Sequence, residues 1–168
     1  MDTKRYLSWI RSILVFFAMA LGLSGLTAIP LQFELGILVS VAGEGTMAGE
    51  ALPSLGSWIS LVHRALTELY RDYAFLAYGY DWMAFGHFVI AIAFLGAARD
   101  PLRNKWVIEF GMIACVLILP YAFLLGALRG IPLFWRVIDM LFGVFGVAPL
   151  LVAWKMVRKL EARLPSGE

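Results

Sequence analysis

The chain has 168 residues, of which 61% are hydrophobic and 15% are charged, and its formal net charge is +2. An ordinary soluble domain carries about 25% charged residues, so this composition excludes that class and favours a membrane protein. The small positive charge implies no nucleic-acid partner, since cytoplasmic loops of membrane proteins are basic. The single cysteine, Cys115, excludes a disulfide framework and a thiolate metal cluster.

Four stretches are long and apolar enough to cross a bilayer, whose core of about 30 Å needs roughly 20 apolar residues in a helix. They cover residues 13–31, 81–98, 101–128 and 133–154. We therefore predict an all-α fold in which residues 1–168 form a single membrane domain, built as an integral membrane four-helix bundle. The first span has a second interpretation as a cleaved signal peptide, because its apolar run ends in small residues near Ala28.

The distribution of lysine and arginine predicts the orientation, because basic residues are retained on the cytoplasmic side. Ten of the fourteen fall before the first span, after the fourth, or in the second connection and the first residues of the third span, and four fall on the other side. Both termini are therefore expected in the cytoplasm, with the bacterial plasma (inner) membrane inferred from the small size and short loops. The tryptophans support two interfacial belts: they are Trp9, Trp106 and Trp154 inside, and Trp58, Trp82 and Trp135 outside.

The outer segment over residues 32–80 is the longest connection and divides into two parts. Residues 43–56 are rich in glycine and are predicted to form an irregular loop without a packed element. Residues 57–73 have a helical apolar stripe opposite charged side chains, which predicts an extracytoplasmic amphipathic helix lying in the interface. We expect Ser57 to cap this helix, and Arg64 to pair with Glu68 one turn later.

Two short connections predict local geometry. Asp100 is expected to cap the third span, with Pro101 at its first helical position. Residues 129–132 are expected to form a tight turn that makes the third and fourth spans antiparallel neighbours. Glu109 follows Lys105 by four residues, so we expect an interfacial ion pair between them.

The presence of an ionisable group inside a span needs a structural or functional explanation, because its insertion into the bilayer costs roughly 2.5–3.5 kcal/mol. Several such groups lie within about two helical turns of the outer surface, a depth that follows from the predicted spans. The topology allows them to converge on one polar pocket. They are the candidate ligand-binding residues Glu34, Asp81, Arg129 and Arg136, together with His87 and Asp139.

The candidate catalytic residues are His87, His63 and Asp139. Asp139 follows Arg136 by three residues, so we expect them to pair and lock the outer hairpin, the alternative being a substrate or ion site. His87 has small neighbours on its face, which predicts a helix contact, the alternative being a general base. Asp81 is expected to cap the second span.

The two histidines are the only pair in the chain that can hold a haem or metal from the outer leaflet. His63 lies between the polar and apolar faces of the predicted amphipathic helix, so exposure to solvent or headgroups is its expected environment. Because two histidines without a ligand spacing are a weak signal, neither a cofactor nor a metal site is assigned.

The sequence has no phosphate-binding glycine loop, zinc-peptidase helix or serine nucleophile elbow. We therefore predict a non-catalytic accessory or assembly subunit whose partners are the lipid bilayer and other membrane subunits or a second copy of the chain. The alternative is an outer-leaflet enzyme or lipid-binding protein that uses His87 or His63 as base, with Arg129 and Arg136 on an anionic headgroup. Bis-histidine haem or metal binding comes third, and transport of an ion or small solute follows it.

Overall fold

A computed structural model describes residues 3–163, and within that range it contains helices and no strands. A 3₁₀ turn, Ala74–Ala77, precedes the fifth helix. The helices are α1 (Thr3–Ala28), α2 (Leu31–Ala42), α3 (Met47–Ala51), α4 (Pro53–Asp72), α5 (Tyr78–Arg99), α6 (Lys105–Leu128) and α7 (Leu133–Glu161).

Four of these helical segments are long and apolar enough to cross a membrane, which fits a multi-pass membrane protein and confirms the prediction of an all-helical fold with four spans. They cover Thr3–Ala28, Ala74–Arg99, Lys105–Leu128 and Leu133–Glu161. The second span begins seven residues earlier than predicted, because the 3₁₀ turn leads directly into α5. The described residues fall into two compact units, 3–20 with 90–163 and 21–89. That residues 1–168 form a single domain stays a prediction.

In the unit formed by residues 3–20 and 90–163, α6 and α7 pack as an antiparallel hairpin. The predicted tight turn over residues 129–132, between α6 and α7, is confirmed. Gly130 has a φ of 72°, its amide donates to the carbonyl of Ala127 at 3.1 Å, and the Ile131 amide donates to the carbonyl of Gly126 at 2.9 Å. This is the Schellman arrangement, which satisfies the last carbonyls of a helix and needs glycine at the left-handed position.

The core of this unit lies where Phe94 packs between neighbouring helices. Phe94 and Leu150 are fully buried, and the ring centroid of Phe94 lies 4.6 Å from that of Phe17. A Cβ at Gly111 would lie 2.8 Å from Cδ1 of Leu150, so glycine is what allows α6 to approach this closely. Within a membrane such a ring stabilises the unit through close packing with its neighbours, because lipid chains are as apolar as the ring itself.

The connection before α6 differs from its predicted form. The predicted capping of the third span by Asp100 is wrong, because the N-cap of α6 is Asn104 and the helix begins at Lys105. Asp100 instead fixes the turn over residues 101–104, where its Oδ1 accepts the amide of Arg103 at 3.1 Å. Pro101 lies in this turn and is therefore not the first helical residue. The side chain of Arg11 closes this end of the unit by donating to the carbonyl of Arg99 at 3.1 Å.

In the unit formed by residues 21–89, the predicted irregular loop is wrong for most of its length. The segment from Gly43 to Gly56 contains α3 and the start of α4, and only residues 43–46 and Leu52 are non-helical. A Cβ at Gly49 would collide with the carbonyl oxygen of Gly43, and a Cβ at Gly56 would lie 2.9 Å from Cα of Gly49. The glycines therefore serve close backbone packing rather than loop flexibility.

Polar contacts fix this packing, and we call α2, α3 and α4 the helical platform. The Thr46 hydroxyl accepts the Gly49 amide at 3.0 Å and donates to the Gly43 carbonyl at 2.8 Å. The buried Ser60 hydroxyl accepts the Glu44 amide at 2.9 Å. Arg64 pairs with Glu44 at 3.3 Å, so its predicted pairing with Glu68 is wrong.

The start of α4 also corrects a prediction. The helix begins at Pro53 with Leu52 as its N-cap, and Ser57 lies one turn inside it. Proline is favoured at the first helical position because it has no amide hydrogen to leave unsatisfied. The side that packs inward carries Ile59, Ser60 and Leu66, and α4 ends at Asp72.

Candidate functional site

The residues predicted to share one polar pocket belong to both compact units. Glu34, Asp81 and His87, together with His63, belong to the unit of residues 21–89. Arg129, Arg136 and Asp139 belong to the other unit. Each group is therefore described within its own unit, and convergence on one pocket stays a prediction.

His87 is a packing residue of α5. A Cβ at Gly25 would lie 2.9 Å from Cβ of His87, so the predicted helix contact is confirmed and is made with α1. The Nδ1 atom of His87 lies 2.8 Å from the carbonyl oxygen of Met83. A carbonyl oxygen only accepts, so Nδ1 is the donor in this contact. His87 is consequently oriented by a hydrogen bond to its own helix. This orientation is compatible with both predicted roles, a general base and a packing residue.

His63 is half-buried in α4, and its exposure to solvent or headgroups stays a prediction. Its Nε2 atom would lie 3.7 Å from a Cβ at Gly36, so the imidazole edge faces α2. His63 and His87 thus contact glycines on two different helices. Among residues 3–163, no group of three or more histidine, cysteine, aspartate or glutamate side chains is placed to hold a metal ion. Bis-histidine ligation stays a prediction.

Asp81 does not cap the second span, because α5 begins three residues earlier at Tyr78 and Asp81 lies in its first turn. Asp81 lines an open groove of about 550 Å³ where the turn after α1, the end of α4, the 3₁₀ turn and α5 meet. The lining residues are Ile29, Tyr70, Ala74, Phe75, Ala77, Tyr78 and Asp81. Glu34 lies in the first turn of α2, where a carboxylate interacts favourably with the helix dipole.

Arg136 does not pair with Asp139, because its side chain crosses from α7 to α6. Its Nη1 donates to the carbonyl of Phe123 at 3.0 Å, and its guanidinium carbon lies 5.5 Å from the centroid of the Phe123 ring. The glycine at position 126 makes room for the aliphatic stem, since a Cβ there would lie 2.6 Å from Cδ of Arg136. The Nε atom of Arg136 is buried without a hydrogen-bond partner among the described residues.

Asp139 and Arg129 have different surroundings from Arg136. Asp139 is half-buried in α7, and the ion pairs formed within residues 3–163 do not include it. Arg129 is exposed and forms the C-cap of α6, where a cation interacts favourably with the helix dipole. The three residues therefore do not form one shared ion-pair network.

Two polar contacts between α6 and α7 are absent from the sequence-based predictions. Glu109 accepts a hydrogen bond from Nε1 of Trp154 at 2.9 Å, so its predicted pairing with Lys105 is wrong. Lys105 instead donates to both carboxylate oxygens of Glu161, at 2.9 and 3.0 Å. The only sequence signal for these contacts is the pairing of α6 and α7 as a hairpin, which brings the start of one helix to the end of the other.

Arg71 and Asp72 form a two-point ion pair at the end of α4, with Nε to Oδ1 and Nη2 to Oδ2 both at 2.9 Å. The Arg71 guanidinium holds the pKa of the Asp72 carboxyl below its usual range, because it donates to the ionised form. Arg71 is thereby neutralised beside Tyr70, a lining residue of the open groove.

The polar groups therefore have two kinds of environment. Those of α6 and α7 mostly bond within the hairpin, whereas Asp81 opens onto a groove lined by aromatic rings.

Comparisons with protein-family models, with curated proteins and with solved structures find no match for this chain.

Proposed function

We propose that this chain is a non-catalytic accessory or assembly subunit of a membrane complex, and that the helical platform is its docking surface. The observation that carries the proposal is that α2 is packed in place and yet remains uncovered. This helix is held against α3 and α4 by close glycine packing, yet it buries none of its own residues.

The exposed side of α2 presents Phe33, Ile37 and Val41, spaced four residues apart and therefore on one stripe. Their exposed fractions are 70%, 52% and 62%. We call these three residues the α2 face. At 12 residues, α2 is about 18 Å long, which is too short to cross a bilayer core of about 30 Å. An apolar helix of another subunit fits this surface, because such helices associate through close packing.

The contacts of the polar residues also support a non-catalytic role. The Nδ1 of His87 is bonded to Met83, the guanidinium of Arg136 is bonded to Phe123, and Glu109 is bonded to Trp154. Each bond lies within one compact unit and gives one partner to a polar group that is costly to place in a span. Hydrogen bonds within the protein therefore explain why these polar residues occur in the spans, and no substrate is needed to explain them.

Site-specific photo-crosslinking in native membranes tests the proposal. A photoreactive residue at Ile37 is expected to join the full chain to one discrete membrane protein, whereas the same residue at the comparably exposed Leu133 of α7 is expected to give none. Ile37→Asn should then weaken co-purification of that protein, and Leu133→Asn should leave it unchanged. Crosslinks only to a second copy of the chain, or equal products from both positions, would contradict the proposal.

In this proposal, both termini lie in the cytoplasm and the helical platform lies at the outer interface of the plasma membrane, with α4 as an amphipathic helix in that interface. The excess of basic residues beside the termini supports this orientation. A membrane-impermeant maleimide provides the test, using Ser8→Cys and Ser57→Cys at two exposed positions. Intact cells should label position 57 and leave position 8 unlabelled, and the reverse pattern would refute the orientation.

A further inference from the structure

We propose that the groove beside Asp81 binds the ammonium headgroup of a zwitterionic phospholipid. This inference is independent of the docking role proposed for α2, since it concerns a different surface of the unit formed by residues 21–89. We call the groove the Asp81 groove.

The first argument is charge. Asp81 is the one ionisable carboxylate among the residues that line the groove, and the ion pairs formed within residues 3–163 do not include it. Arg71 lies next to a lining residue in sequence, but both of its bonds go to Asp72. The carboxylate therefore remains available to a positively charged group that enters the groove.

The second argument is the aromatic lining. Tyr70, Phe75 and Tyr78 line the groove, and an adjoining recess shares Tyr78 and Asp81 and adds Trp82. The ring centroids of Tyr78 and Trp82 lie 5.9 Å apart in an edge-to-face arrangement. Aromatic faces attract organic cations, and rings grouped around an acidic residue are the usual chemistry of ammonium recognition.

The third argument is position and size. The groove lies at the start of the span Ala74–Arg99, where tyrosine and tryptophan are favoured because headgroups meet the hydrocarbon core. Its volume of about 550 Å³ exceeds that of a headgroup ammonium and leaves room for the adjoining phosphate and glycerol. Ile29 and Phe75 provide apolar surface for the first acyl carbons. These features favour a lipid over a free amine.

Binding of defined lipids to the full-length protein in a neutral detergent tests the proposal. Dioleoylphosphatidylethanolamine is expected to bind more tightly than dioleoylphosphatidylglycerol, which has the same chains and phosphate but lacks the ammonium. Asp81→Asn should weaken binding of the first lipid about three- to tenfold, as expected for a partly desolvated ion pair. Glu50→Gln provides the matched control, because Glu50 is an exposed acid on α3 of the same unit.

The rings are tested separately. Tyr78→Leu should weaken phosphatidylethanolamine binding about two- to fivefold, whereas Tyr78→Phe should retain most of it, since the face of the ring and not the hydroxyl attracts the cation. Equal affinity for both lipids, or unchanged binding by Asp81→Asn in a folded protein, would overturn the proposal. Equally tight binding of water-soluble phosphoethanolamine would overturn the assignment to a lipid.

Discussion

Arg136 of α7 occupies the space that a side chain at Gly126 of α6 would need. A Cβ at Gly126 would lie 2.6 Å from Cδ and 2.7 Å from Cγ of Arg136, while Nη1 of the same arginine donates to the Phe123 carbonyl at 3.0 Å. The stem and the guanidinium are thus both placed by α6. The glycine at position 126 leaves space for the side chain of Arg136. Its carbonyl also accepts the Ile131 amide in the turn that ends α6.

Gly126→Ala is therefore expected to displace Arg136 and to destabilise the hairpin of α6 and α7 by about 1–2 kcal/mol, because an added methyl group overpacks the contact. Thermal unfolding in detergent measures the change. Gly96→Ala is the matched control, since nothing lies within 4 Å of a Cβ at Gly96. An equal effect of both substitutions would show that the loss reflects helix composition and not the contact with Arg136.

Trp154→Phe should destabilise the protein by about 1–2 kcal/mol, because the partly buried carboxylate of Glu109 loses its donor while the aromatic volume is largely kept. In a double-mutant cycle with Glu109→Gln, the two effects should not add. Trp106→Phe is the control at an indole that is 63% exposed. Additive effects of Trp154→Phe and Glu109→Gln would show that the hydrogen bond contributes nothing to stability.

The ion pair of Lys105 and Glu161 links the start of α6 to the end of α7, and its side chains are only 27% and 34% exposed. A double-mutant cycle with Lys105→Met and Glu161→Gln should give a coupling energy of about 0.5–1 kcal/mol, at the upper end for ion pairs near a surface. The coupling should fall as salt concentration rises, because screening weakens the attraction. A coupling of zero at low salt would contradict this assignment.

Gly49→Ala should disrupt the helical platform, because the added methyl group meets the backbone carbonyl of Gly43, which cannot move without unpacking α3. We expect a loss of about 2–3 kcal/mol. Hydrogen exchange should show faster exchange of the amides over residues 43–60. Gly79→Ala is the control, since nothing lies within 4 Å of a Cβ there. Unchanged exchange in Gly49→Ala would refute the close packing of these glycines.

The four spans could be predicted from the sequence because bilayer thickness requires a long apolar run. The turn at Gly130 could be predicted for a similar reason, since proline and glycine between two such runs leave a tight connection as the simplest solution. The segment from Gly43 to Gly56 was predicted wrongly, because glycine favours turns locally and only the tertiary packing shows that its missing side chain lets two backbones meet.

The side-chain partners were harder to predict than the helices. Spacing along one helix suggested Arg64 with Glu68, Lys105 with Glu109 and Arg136 with Asp139. The observed partners of Arg64, Lys105 and Arg136 are instead Glu44, Glu161 and the Phe123 carbonyl. Long side chains cross between packed helices where a partner on another helix is nearer, so spacing alone gives only the partners available within one helix.

Native mass spectrometry of the protein extracted in a mild detergent tests the central claim most directly, because one spectrum reports bound protein and bound lipid together. We expect the chain in a fixed ratio with a second membrane protein, and we expect Ile37→Asn to reduce that complex while the fold is retained. The chain alone, or as copies of itself with bound lipid at most, would contradict its role as a subunit of a membrane complex.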